Sequence, residues 1–392
     1  MTRPARPASQ VLAETTFAMN AWVELDLDAL ANNVAVIRRE IGPGLDLIAV
    51  VKANAYGHGV RGIAPALEAL GVERFAVVWV HEGVALRALG ITRPIVVLGH
   101  AFPEDAETAV RHQLTLTCHS AALGDALSRA AQQVGARAAV HIKVDTGLHR
   151  FGVEPEQAVA LADHLRRFPA LDVEGISTHM ANADEVDDSF ADTQREAFEA
   201  VCRRLPWIPY RHAANSATAL RRPGLRYSGV RCGLALHGVS PPNTPAPGLR
   251  PVLSLKARLA RVAEVPAGDG VSYGLTWRAS RPSRVALIPV GYADGWHRAL
   301  SGRAEVLVGG RRCTVAGRIA MDQFLVDVTD VPEAREGDEA VLIGAQGQAR
   351  ITVDEVAAHA GTISWEVLAA LGARLPRVFH KGGIVQSVIG PA

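Results

Sequence analysis

The sequence lacks the features that would tie it to a membrane, a nucleic acid or an oxidising compartment. Lys and Arg number 41 against 40 Asp and Glu, so no field of one sign is present to gather a polyanion or an anionic lipid surface. No apolar run approaches the roughly 20 residues that span a bilayer. The cysteines, Cys118, Cys202, Cys232 and Cys313, stand far apart without paired spacing, which argues against a disulfide framework and against a zinc site. No metal is expected, and a reducing cytoplasm fits. Residues 1–20 hold Arg3, Arg6 and two prolines but no continuous apolar core, so they read as a loose extension and not as a secretory signal. A small-molecule partner is what remains.

At 392 residues the chain has room for two domains, one of them a barrel of about 250 residues. From Ala21 onward short apolar runs alternate with helical patterns, which is how a parallel βα protein reads. The strand candidates are AWVELDL, LDLIAVV, FAVVWV, PIVVLGH, LTLTCH, AAVHIKV, VEGISTH, IPYRHAANS and RYSGVRCGLAL. They number about nine for the eight strands of a TIM barrel, so one is expected to be misassigned. PPNTPAPGLRP, residues 241–251, holds five prolines and reads as a linker. Beyond it come strand-like runs separated by glycine turns, with helical pattern sparse until DEVAAHAGTISWEVLAAL. The expected organisation is a loose extension over 1–20, an N-terminal TIM-type (β/α)8 barrel over 21–248 and a C-terminal mainly β domain over 249–392.

LDLIAVV is nearly continuous in apolar residues, the pattern of a strand buried on both faces. Lys52 therefore leaves that strand at its tip. A lysine in a walled pocket loses hydration, its pKa falls, and the neutral amine can condense with an aldehyde. That is the Schiff-base chemistry of pyridoxal phosphate enzymes. Further polar residues collect where the βα loops of a barrel begin: Arg150 after HIKVDTGLH, His179 ending VEGIST, Ser216 closing RHAAN, and Arg231 with Gly233 ending YSGV. Alone, each has a plainer reading as a surface arginine, a packed histidine or, for Ser216, a helix N-cap. Together they are groups that one cofactor could use, since a hydroxyl and exposed backbone N–H groups at loop starts suit a phosphate dianion.

VVKANAYGHG closely resembles the cofactor-lysine motif of the alanine racemases, and motifs similar to that family recur to about residue 378. The resemblance implies a pyridoxal phosphate enzyme interconverting L- and D-alanine through an external aldimine, supplying D-alanine for peptidoglycan. It implies that Lys52 is one acid–base group and that Tyr273, in GVSYGLTW, is the second, acting from the partner subunit of a homodimer. Tyr56, Ser216, Gly233 and Leu234 match the phosphate cradle, Arg231 matches the arginine facing the pyridine nitrogen, and His179 matches the residue beside the ring. Arg150 and Met321 match substrate carboxylate contacts. Asp322 completes an MD pair, and Tyr292 resembles a gate residue of the access channel. Lys143 sits where many relatives carry a carbamylated lysine, and a plain lysine paired with Asp145 is a comparable reading.

Three departures stand out. His149 occupies a position that is glycine in many relatives, Ala320 one that is often cysteine, and Trp365 one where many relatives have tyrosine. An indole has one N–H donor and no acceptor, which leaves a broader serine/alanine racemase open. A non-catalytic pyridoxal phosphate carrier is disfavoured by the second domain. A decarboxylase of the same plan is disfavoured by the Tyr273 and Met321-Asp322 matches. A barrel metallohydrolase using His141, Lys143, His179 and Asp184 lacks a paired histidine motif at the start of the barrel.

Overall fold

The computed structural model describes residues 19–390, so most of the extension expected at 1–20 lies outside the described residues. The chain divides into two compact units: Leu30–Ala55 with Val60–Arg250, and Met1–Ala29 with Tyr56–Gly59 and Pro251–Ala392.

The first strand, β1 (Ala21–Asp26), is the misassigned one. It pairs antiparallel with Leu253–Arg258 and parallel with Arg377–Lys381. The reason is legible in AWVELD, where Val23 and Leu25 are fully buried but Glu24 and Asp26 are only half-buried. Alternation of this kind suits a sheet with one wetted face, not a barrel strand covered on both sides. The barrel unit accordingly begins later than residue 21.

The other eight candidates form one parallel sheet: β2 (Asp46–Val50), β3 (Arg74–Val77), β4 (Ile95–Val97), β5 (Leu114–Cys118), β6 (Ala138–Lys143), β7 (Leu171–Ser177), β8 (Tyr210–His212) and β9 (Gly229–Cys232). Neighbours in sequence are neighbours in space, and β9 returns beside β2. Backbone bonds from Ser228 N to Arg211 O and from Arg231 N to Ala214 O, both 3.0 Å, nearly close the ring between β8 and β9. Helices connect successive strands; β2, β3 and β4 bury mainly Ile, Leu, Val, Ala and Phe, while β5 to β9 also bury polar side chains such as His141, Lys143, His212 and Arg231. The architecture is α/β, a TIM-type barrel with a mainly β C-terminal region.

In the other unit the strands are β10 (Leu253–Arg258), β11 (Arg261–Val265), β12 (Gly270–Val271), β13 (Trp277–Arg278), β14 (Ser283–Ile288), β15 (Glu305–Val308), β16 (Arg311–Thr314), β17 (Phe324–Asp327), β18 (Glu339–Gln346), β19 (Ala349–Ile351), β20 (Arg377–Lys381) and β21 (Ile384–Ile389). The main sheet runs β16-β15-β18-β10-β1-β20-β21, with β19 on β18; β11-β14-β17 and β12-β13 form separate small sheets. Among the described residues no helix is long and apolar enough to cross a membrane.

Candidate functional site

Lys52 follows β2 after one residue, Val51, and the chain behind it turns in an uncommon way. Ala53, Asn54, Ala55 and Tyr56 all have φ between 50° and 54°, four successive non-glycine residues in the left-handed region, each costing roughly 1–2 kcal/mol. Specific bonds hold this turn. Ala53 N donates to Glu82 Oε1 (2.7 Å), and Val60 N donates to Asn54 Oδ1 (2.8 Å). Glu82 also takes Val78 N and Trp79 N on its other oxygen, at 2.9 and 3.1 Å. Sequence reasoning passes over Glu82, whose part depends on two loops meeting. Strain retained by such over-determination is characteristic of functional sites. Burial lowers the Lys52 pKa, and the Arg150 charge lowers it further against the opposing pull of Glu82.

Arg231, near the end of β9, is 5% exposed and bonded through both terminal nitrogens. Nη1 donates to His212 Nδ1 (2.8 Å); Nη2 donates to the carbonyls of Thr178 (3.0 Å) and Ala213 (2.8 Å) and to His179 Nδ1 (2.9 Å). Burial and the Arg150 charge bring its pKa down to about 10, so it remains a cation at neutral pH. The reverse holds for His179 and His212, which burial and then the Arg231 charge push well below the usual imidazole range. Both are neutral acceptors toward the guanidinium.

Lys143 ends β6 and is buried; burial, Arg231 and Arg150 lower its pKa well below the ordinary value, with Asp145 opposing. Asp145 has a further job, since its Oδ1 accepts from Gly147 N and His149 N, each 3.0 Å, which ties the loop leading to Arg150. Arg150 itself is exposed. The barrel mouth thus gathers Lys52, Lys143, Arg150 and Arg231 around neutral histidines, a donor set suited to a small polyanion.

Ser216 opens the helix Ser216–Arg221, but the cap is Asn215, whose side chain accepts from Thr218 N at 2.9 Å. The N-cap reading of Ser216 is therefore corrected, because a cap must precede the first helical residue. Ser216 Oγ instead accepts from Gly233 N (3.1 Å), which draws two members of the expected cradle together. Leu234 starts the short 3-10 turn Leu234–His237. His141, considered for a metal, bonds His212 and Glu174 instead.

The β unit holds the remaining candidates. Tyr56 leads into Gly57, where a Cβ would lie 2.0 Å from the Leu368 carbonyl oxygen, so only glycine fits. Arg377 Nη2 donates to Gly57 O (3.0 Å), and His58 Nδ1 lies 2.9 Å from Tyr56 O. Tyr273 is 71% exposed, on a 3-10 turn between β12 and β13 rather than packed within a strand. Ser272, Gly274 and Leu275 all have positive φ, and Ser272 Oγ donates to Arg318 O (2.6 Å). Met321 and Tyr292 are exposed and tied by backbone bonds, Tyr292 N to Ala320 O (3.1 Å) and Ala293 N to Met321 O (3.0 Å). Arg374 clamps the same turns, donating to Asp294 Oδ2 (3.0 Å) and Asp322 Oδ1 (2.7 Å). Asp322 thereby shares the Arg374 guanidinium with Asp294. Trp365 is half-buried in the helix Ser364–Ala369.

Known proteins share this architecture and sequence. Residues 25–241 match the family described as alanine racemase, N-terminal domain, and residues 252–379 match alanine racemase, C-terminal domain. The alanine racemase of Desulfovibrio desulfuricans is 42% identical over 370 residues, covering 93% of this chain and 99% of that one. That of Symbiobacterium thermophilum is also 42% identical, covering 91% and 96%. Among solved structures, alanine racemase from Clostridium difficile superposes with a TM-score of 0.91 at 32% identity (96% and 99% covered). The Bacillus anthracis enzyme with bound L-Ala-P gives 0.89 at 37% identity, with the same coverage. Two matching domains in the right order and relatives 42% identical over most of the chain establish that the chain belongs to the alanine racemase family of isomerases.

Proposed function

We propose that this chain interconverts L- and D-alanine by a two-base mechanism with pyridoxal phosphate as cofactor. The observation that carries the reading is that two neighbouring barrel strands bring Lys52, whose pKa is lowered after β2, and Arg231, a buried cation on β9 bonded to His179, to the same sheet edge. The donor set fits the group. Lys52 supplies an amine that deprotonates readily, Arg231 an N–H for the ring nitrogen, His179 a neighbour for the ring, and Tyr56, Ser216, Gly233 and Leu234 the phosphate contacts. When bound, pyridoxal phosphate acidifies the α-C–H of the amino acid attached to it. Arg231 hardly gives up its proton, so it would offer the ring nitrogen an N–H without protonating it.

Racemisation needs one group on each face of the α-carbon. Lys52 serves one face and Tyr273 of the partner subunit the other, so the functional unit is a homodimer. Arg150 and the Met321 backbone N–H hold the substrate carboxylate, Asp322 beside Met321 pairs with Arg374, and Tyr292 and Trp365 narrow the access channel. A neutral Lys143 amine is the form that takes up carbon dioxide, and a carbamate there would face Arg150 as an anion. The barrel and the mainly β region form the cofactor-binding and second-base domains, the setting is the cytoplasm, and the product supplies peptidoglycan. Incubation of the purified protein, carrying pyridoxal phosphate, with L-alanine in deuterated water should yield D-alanine with α-deuterium. Cofactor absorbance without any chirality change would overturn the racemase reading.

A further inference from the structure

TIM-barrel interiors are filled by layers of bulky apolar side chains. In this barrel a polar column interrupts them. Arg231 Nη1 meets His212 Nδ1 at 2.8 Å, His212 Nε2 meets His141 Nδ1 at 2.8 Å, and His141 Nε2 meets Glu174 Oε1 at 3.0 Å. Glu174 in turn pairs with Arg74 at 3.1 Å, and Arg74 with Asp46 at 3.1 Å. The two imidazoles are 0% and 1% exposed, whereas the Glu174 side chain is 28% exposed.

Two backbone features make room for this column. Along β6 and β7, Val140 pairs with Val173 but His141 pairs with Gly175, which leaves Glu174 as the extra residue of a β-bulge. Bulges re-aim side chains and gather beside active sites. Opposite His141, a Cβ on Gly175 would stand 2.5 Å from the imidazole Cδ2, so only glycine admits the ring.

The column has one consistent proton arrangement. Burial lowers the pKa of both histidines, so each ring has one N–H and one lone pair. A carboxylate only accepts; His141 therefore carries its proton on Nε2 and offers the lone pair of Nδ1. His212 must donate to it from Nε2, which leaves the His212 Nδ1 lone pair facing Arg231. A guanidinium only donates, and the chain of bonds closes without conflict.

We propose that Glu174 is a positioning residue for the racemase reaction, acting through the tautomers of His141 and His212 to present a lone pair to Arg231 and hold the guanidinium in place. Without the anion the rings are free to reverse, and an N–H facing the guanidinium N–H displaces it. The inference rests on the reading of Arg231 as the group that faces the cofactor ring.

The test uses the pyridoxal phosphate-loaded enzyme labelled with 15N-histidine, and long-range 1H–15N correlations read which nitrogen of each ring is protonated. The wild type should show His141 and His212 both protonated at Nε2. Glu174→Gln, whose amide can accept or donate, and Gly175→Ala, which crowds the His141 ring, should each give mixed tautomers. Each should lower kcat roughly tenfold, the scale of one hydrogen bond to a charged group, with KM changed less than about twofold. A wild-type His212 protonated at Nδ1 overturns the proposal. So does a pair of folded variants with lower Tm but unaltered tautomers and kcat, the result of a packing role alone. If the protein proved inactive on alanine, the proposed function would fail, while the 15N pattern would still decide whether Glu174 sets the two rings.

Discussion

Apart from the exposed Arg150 of the barrel and the buried Tyr56 and half-buried Trp365 of the β unit, the two regions present their candidate residues in opposite ways. In the barrel, Arg231, His212, His141 and Lys143 are buried, and burial moves the pKa of each. In the β unit, Tyr273 is 71%, Met321 54% and Tyr292 43% exposed, on turns held by backbone bonds and by the Arg374 clamp. Both regions hold positive-φ residues at the key position, around residues 53–56 and 272–275. The difference lies in what the strain achieves. In the barrel it leads the chain abruptly away from an amine at a strand tip; in the β unit it sets a phenol out toward solvent. A buried, mutually polarised set suits a charged ligand, whereas an exposed phenol is free to serve the proposed role toward a partner subunit.

The largest effect should come from the barrel side. Lys52→Ala should abolish the covalent cofactor absorbance and lower racemisation by about 10⁴-fold, the upper end for loss of a positioned acid–base group. Retained absorbance would place the Schiff base on another lysine. Next comes the β side: Tyr273→Phe should cost about 10²- to 10³-fold. Mixing and reassociating the two inactive variants should restore roughly a quarter of wild-type sites if each site draws on two subunits of a twofold dimer. No recovery from well-mixed subunits would mean that one chain supplies both groups, and the contrast between holding and offering would break. A smaller change is expected at Trp365. Trp365→Tyr should alter the serine-to-alanine ratio of kcat/KM by roughly tenfold, the reach of one pocket contact, and an unchanged ratio would remove this residue from specificity.

The comparison also predicts where acid acts first. His141, His179 and His212 have pKa values held below the ordinary 6.5 by burial, so they stay neutral in the fold and bind protons once unfolded. Their contribution is complete above pH 6.5 and is lost as pH falls below it. For Glu174, burial alone would raise the pKa, but the His141 hydrogen bond and the Arg74 charge outweigh it and set it at about 2, against an ordinary 4.5. That contribution goes only as pH falls from 4.5 toward 2. In the β unit, Glu355 is likewise lowered from 4.5, mainly by its hydrogen bond to Arg312. Hydrogen exchange by mass spectrometry should therefore show protection in β6, β7 and β8 falling between pH 6.5 and 4.5 while β10 and β18 hold. Parallel loss in both regions would remove the distinction.

Much of this is legible in the sequence, and the exceptions share a cause. The barrel strands announce themselves as continuous apolar runs, and Lys52, Arg231 and Ser216 stand at loop starts where a barrel collects function. β1 groups with them by its place before a helix, although its Glu24 and Asp26 alternation already marks a wetted sheet face. Asn215 and Ser216 are both good caps, and only the register of the helix decides between them. Glu174, in VEGIST, gives no signal at all. Its place in the column depends on a bulge between β6 and β7 and on a glycine opposite a ring, and no local pattern encodes contacts between strands.

The smallest effect concerns the departure at His149. Its φ of 53° is one that a side chain resists and glycine adopts freely, while its N–H helps Asp145 close the loop before Arg150. His149→Gly removes the strain and keeps that N–H, but gives the unfolded chain more freedom. The two effects nearly cancel, and relief of an αL conformation should leave a net gain of about 0.5 kcal/mol. Denaturant unfolding would read it as a slightly higher midpoint at unchanged slope. A clear loss of stability would instead show that the imidazole makes a contact worth more than the backbone strain it imposes, and the loop before Arg150 would then belong with the packed barrel interior, not with its rim.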